Sequence, residues 1–101
     1  MINNIFKVSQ IIQDNRSLSD VFTYATAELG ELAEEVCIST GFSQKQSGED
    51  GIVGEAVDCI ICLVDLIKLY DPKITEEQII IVLNNKLRKW IDTTNPDFVK
   101  K

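Results

Sequence analysis

The sequence predicts an all-α protein, a four-helix bundle-like fold completed by oligomerisation, and three observations carry that prediction. Apolar residues recur at helical rather than alternating spacing along most of the chain. Polar, Gly- or Pro-containing breaks divide it into four segments. The third segment is apolar on almost every side, as suits a helix central to its bundle or lying at a subunit contact. With 101 residues the chain can bury one modest core, so residues 1–101 read as a single domain.

The first segment, Ile2 to Gln13, sets Ile2, Ile5, Phe6, Val8, Ile11 and Ile12 at helical spacing. Asp14, Asn15, Arg16 and Ser17 make a polar break. Ser17 or Ser19 can cap the second helix, with Asp20 in its first turn, and that helix should run to about Thr40. At about 100° per residue, Phe22, Ala25, Leu29, Leu32, Ala33 and Val36 form one apolar stripe, with Glu28, Glu31 and Glu35 along its edge. Glu34 points elsewhere, toward solvent.

Gly41 ends the second helix, and Phe42 to Gly51 reads as a loop in which Ser47, three residues before Asp50, is the candidate cap of the third helix. The third helix spans Gly51 to Tyr70. Ile52, Val53, Ala56, Val57, Ile60, Ile61, Leu63, Val64, Leu66 and Ile67 cover most of its circumference, leaving Glu55, Asp58 and Asp65 to share one sector with Cys62. A buried carboxylate is costly without compensation. Lys68 is the expected partner of Asp65, which leaves Glu55 and Asp58 most in need of a cation.

Asp71-Pro72 stops the third helix, and Thr75 with Gln78 forms a capping box for the fourth. The fourth helix carries Ile79, Ile80, Leu83, Leu87 and Trp90 on one face and fades near Thr93-Thr94, before Pro96. Lys86 projects from that stripe and Lys89 borders it. Lys86 is either a snorkelling lysine or a phosphate contact.

The net charge of −6 argues against nucleic acid or an anionic membrane as the main partner, since both are held largely by Lys and Arg. No apolar run reaches the roughly 18–20 residues of a membrane span, and the expectation is a cytoplasmic protein. Histidine is absent, which removes Ser-His and Cys-His nucleophile pairs, His-containing zinc sites and Glu-x-x-His di-iron sites. Cys37, Cys59 and Cys62 read as free thiols in a reduced protein. Although Cys59 and Cys62 make a CxxC, it falls inside an apolar helix rather than at a helix N-terminus, where thiolates are stabilised.

The chemistry resides in two carboxylate pairs, Glu28 with Glu31 and Glu55 with Asp58, each at i, i+3 and therefore on one helix face. Two such helices packed together aim four carboxylates at one spot, where they repel unless a hard cation lies among them. Either pair alone is a cheap pattern, explained as well by ion pairs across helices or by a solvated face.

Glu28-Leu-Gly-Glu31 followed by Glu55-Ala-Val-Asp58 resembles the signature of the MazG-like nucleoside triphosphate pyrophosphohydrolases, an all-α NTP pyrophosphatase group. The resemblance covers Ala25 to Asp65 by motif and the whole chain by helix order. It implies Mg²⁺, with Mn²⁺ as substitute, on Glu28, Glu31, Glu55 and Asp58. It also implies hydrolysis of a (deoxy)nucleoside triphosphate to the monophosphate and pyrophosphate, as in nucleotide-pool cleansing. Family members of this size are homodimers or homotetramers in which two subunits complete the bundle and pocket. On this reading Glu31 or Glu35 is the catalytic candidate that takes a proton. Lys45, Lys86 and Lys89 are candidate phosphate contacts, and Trp90, Phe42 and Phe22 candidate faces for the base. A reading of another class is a non-catalytic helical protein-interaction module with an acidic binding face.

Overall fold

The computed structural model describes residues 1–12 and 15–94. These form four α-helices and no strand: α1 (Ile2–Ile12), α2 (Leu18–Ser39), α3 (Gly51–Tyr70) and α4 (Glu76–Thr94). The expected helix end at Gln13, the start of the polar break at Asp14 and the stop at Pro96 lie outside the described residues. Among the described residues, no helix is long and apolar enough to cross a membrane.

Local chemistry fixes most helix ends. At the start of α2 the Asp20 amide donates to Ser17 Oγ at 3.1 Å while the Ser17 amide donates to Asp20 Oδ2 at 3.0 Å, so Ser17 rather than Ser19 is the cap. A second reciprocal box opens α4, with the Thr75 amide donating to Gln78 Oε1 at 2.9 Å and the Gln78 amide to Thr75 Oγ1 at 3.2 Å. Past the Thr40 cap of α2, Gly41 takes φ +81, the left-handed conformation that glycine adopts without steric cost.

The start of α3 departs from expectation. Asp50 occupies the N-cap position without a side-chain cap bond, and Ser47 is engaged elsewhere. Gly51 sits at φ +60, and Asp50 lies over the first turn so closely that a Cβ on Gly54 would come 2.0 Å from the Asp50 Cβ. This turn relies on backbone shape rather than on a capping side chain.

Helices α2 and α3 run antiparallel. Leu18 and Phe22 at the start of α2 share a groove with Leu66 and Tyr70 at the end of α3, while Glu35 near the end of α2 approaches Gly51. The α2 residues turned toward the protein interior are Val21, Ala25, Glu28, Leu32 and Glu35, all buried or half-buried. Their alternating four- and three-residue steps trace the seam of a coiled-coil-like pair. The apolar stripe expected from spacing is therefore rotated: Phe22 and Leu29 are each 57 % exposed and Val36 is 41 % exposed.

Helix α1 crosses α3, burying Ile2 and Phe6 against Val64, with Ile5, Ile74 and Ile79 packed around them. Helix α4 is tethered at its first turn, where the Asn3 amide donates to Glu76 Oε2 at 3.0 Å, and none of its residues is buried. Within one chain the four helices consequently do not close into a bundle. The radius of gyration, 16.7 Å, exceeds the roughly 13 Å expected of a compact chain of this length, and the extents are 45 × 43 × 22 Å.

Candidate metal centre

The α2–α3 seam carries glutamates where a coiled coil would carry apolar side chains. Glu28 and Glu55 are half-buried at facing positions, and Glu31, one turn along α2, is exposed at the mouth. Each of the three offers a carboxylate oxygen, and these oxygens all lie within 4.8 Å of one another. Glu28 Oε2 and Glu55 Oε2 are covered from solvent and accept no hydrogen bond.

This crowding has an electrostatic cost. Burial, followed by the charges of Glu31 and Asp58, holds both the Glu28 and the Glu55 carboxyls above the ordinary carboxylate range, and a hydrogen bond with Glu31 acts in the same direction on each. Three carboxyls that share protons in this way form a site whose charge awaits a cation. Asp58, the fourth residue of the motif pair, is exposed and stands outside the triad, although its charge reaches Glu28 and Glu55.

The donor set fits a hard divalent ion. Carboxylate oxygens are the ligands that Mg²⁺ and Mn²⁺ take, and Mg²⁺ keeps several waters, so two or three protein oxygens beside an open mouth suffice. The orphaned Oε2 atoms of Glu28 and Glu55 are the specific observation behind this fit. Neither Cys59 nor Cys62 is activated. Burial first, then the neighbouring acids, push both thiols up, leaving them half-buried and free.

Glu35 sits in the same seam but has a different environment. Ser47 Oγ donates to its Oε1 at 2.6 Å and the Gly48 amide to its Oε2 at 3.0 Å, and these bonds lower its pKa. Its carboxylate pins the loop between α2 and α3. Glu34 points outward as expected and is bound by Lys45 Nζ at 2.9 Å. Lys86, Lys89 and Trp90 are exposed on α4. Among the described residues, no printed side-chain contact of α4 reaches the carboxylates.

Asp65 is compensated by a residue other than the expected Lys68. Arg16 Nη1 donates to Asp65 Oδ2 at 2.7 Å and Nη2 to Oδ1 at 3.2 Å, with Ser9 Oγ donating to Oδ1 as well. Lys68 instead gives its proton to the Ile74 carbonyl at 3.1 Å and lies 4.6 Å from the centroid of the Phe6 ring. The planar guanidinium grips both carboxylate oxygens at once, which a lysine three residues away on the same helix cannot do.

The chain matches no family model, no curated protein and no solved structure. What can be said of its activity therefore rests on the residues and their arrangement.

Proposed function

We propose that the chain is a Mg²⁺-dependent nucleoside triphosphate pyrophosphohydrolase that converts a (deoxy)nucleoside triphosphate and water to the monophosphate and pyrophosphate. The observation that carries the reading is the pair of covered, unbonded oxygens on Glu28 and Glu55, joined through Glu31. The likeness of the two acidic motifs to the MazG-like signature supplies the reaction class.

In this reading Glu28, Glu31 and Glu55 hold the ion, with Asp58 at the rim. When bound, Mg²⁺, or Mn²⁺ in its place, supplies positive charge against which a triphosphate can lie and a more acidic water. Glu31 is preferred to Glu35 for taking the proton of the attacking water. Its carboxylate stands at the open mouth, whereas Glu35 is committed to Ser47 and Gly48 and its lowered pKa makes it a weaker base.

The enzyme works as a homodimer or homotetramer. Exposed apolar residues on α2, α3 and α4, among them Phe22, Leu29, Val53 and Trp90, give a second copy a broad face to cover. Such packing would close the bundle and bring Lys86 and Lys89 of one copy toward the triphosphate on another. Removal of unwanted nucleotides from the precursor pool is the fitting role. The test is pyrophosphate release from the common ribo- and deoxyribonucleoside triphosphates with Mg²⁺ or Mn²⁺. Release that depends on the metal and is lost in Glu28→Gln with the helical circular dichroism intact supports the assignment. No release from any triphosphate sinks it, and leaves the non-catalytic interaction module.

A further inference from the structure

A cavity of about 580 Å³ opens between α1, α2 and α3, with Val8, Tyr24 and Ile61 on its walls. It adjoins the carboxylates directly. Tyr24 precedes Glu28 by one turn of α2, and Cys62, also in the wall, follows Asp58 by one turn of the antiparallel α3. Each step is about 6 Å of helix rise. A triphosphate anchored at the carboxylates and directed along the seam would carry its sugar and base into this space.

The cavity is apolar except at one end, where Ser9, Arg16 and Asp65 meet. The Asp65 carboxylate has about four lone-pair sites. Ser9 Oγ and the two Arg16 nitrogens use three of them, so one acceptor site remains on Oδ2. Ser9 Oγ, having donated its proton to Asp65, can still accept. Arg16 cancels the negative charge of Asp65, so the end of the cavity is an array of acceptors without net charge. Such an array is satisfied by a planar ligand edge rich in N–H donors.

We propose that this cavity takes the base of the nucleotide, and that Asp65 and Ser9 select bases with an exocyclic amine, cytosine and adenine ahead of uracil and thymine. The proposal rests on the pyrophosphohydrolase reading and adds to it the residues that set specificity. Cytosine points its amine at Asp65 Oδ2. Uracil presents a carbonyl at that place, leaving two acceptors facing each other.

The test compares kcat/KM for dCTP and dUTP in the full chain. A preference for dCTP of tenfold or more is expected. Asp65→Asn, which replaces an acceptor by a donor, should bring the ratio close to one or below, and Ser9→Ala should reduce it while leaving the Arg16–Asp65 pair in place. A network that only fastens α1 to α3 would change both substrates alike and leave the ratio unmoved. A ratio near one in the unaltered protein, or one that neither variant changes, overturns the proposal while the hydrolase reading stands. If no triphosphate is hydrolysed, the hydrolase reading falls by itself. Free deoxycytidine and deoxyuridine are then titrated while the Val8 and Ile61 methyl resonances are followed. Shifts stronger with deoxycytidine keep the cavity assignment, and absent or equal shifts remove it.

Discussion

Glu28 on α2 and Glu55 on α3 face each other across the seam, each with one covered oxygen that no donor reaches. Burial and neighbouring acids raise both pKa values, so the folded state holds these protons more tightly than the unfolded chain. The corresponding stability is present below the unfolded carboxylate range and is lost as pH rises through the raised folded values. At neutral pH without metal, Glu28→Gln or Glu55→Gln should therefore melt a few degrees higher than the unaltered protein. Mg²⁺ should reverse the order, because only the intact site gains from binding. Thermal melts in chelator and in millimolar Mg²⁺ check both, and a parent protein indifferent to Mg²⁺ would remove the cation from the site.

Glu35 has the opposite sign. Bonds from Ser47 and Gly48 depress its pKa, so its contribution to stability is present above the unfolded carboxylate range and is lost as pH falls through the lowered folded value. Asp20, depressed by Ser17, adds to the same acid limb. Glu35→Gln should lower the melting temperature at neutral pH and flatten the acid side of the stability curve. Ser47→Ala should destabilise in the same direction yet leave pyrophosphate release within a few-fold of the parent. A complete loss of turnover in Ser47→Ala would show that the loop itself is needed for catalysis.

Arg16 and Asp65 are part-buried, with side-chain exposures of 24 % and 14 %, and their bond joins the segment before α2 to the middle of α3. A double-mutant cycle with Arg16→Ala and Asp65→Ala, measured by urea unfolding, should return a coupling of about 1–3 kcal/mol. The pair Lys68 and Asp65 should return none. Coupling between Lys68 and Asp65 would restore the local ion pair that sequence spacing favours.

Phe22 and Leu29 lie seven residues apart on one exposed face of α2. Either residue changed to Asp should shift sedimentation from the dimer or tetramer toward the monomer, with the helical circular dichroism retained. Lys86→Ala should cost activity only if a second copy brings that side chain to the substrate, so loss of activity in the monomeric variants tests the same assembly independently. A parent protein that is monomeric at every concentration rules it out.

The helices were readable because their signals are local. Ser17 with Asp20 and Thr75 with Gln78 lie within single turns, and the Gly41 stop needs only its own backbone conformation. The phase of α2 was harder to read. Phe22, Leu29 and Val36 make as good an apolar stripe as Val21, Ala25 and Leu32, and periodicity cannot say which stripe the same chain will cover. The partners of Asp65 and Glu35 were hidden for a related reason. Arg16 and Ser47 reach them through tertiary folding, and spacing rules favoured the nearby Lys68 and a helix cap instead. Of the site, the carboxylate pairing of Glu28 and Glu31 with Glu55 could be read from i, i+3 spacing. Asp58 shares that spacing, yet its exposure keeps it at the rim.

The bare Cα of Gly54 bears on how tolerance to mutation should be interpreted. Any side chain there collides with the Cβ of Asp50, an atom that no rotamer change can move aside, so the first turn of α3 would have to shift and carry the adjacent Glu55 with it. In a saturation library selected for activity, position 54 would score as intolerant as Glu55 although it offers a ligand nothing. A map of essential positions would then draw the active site one residue too wide.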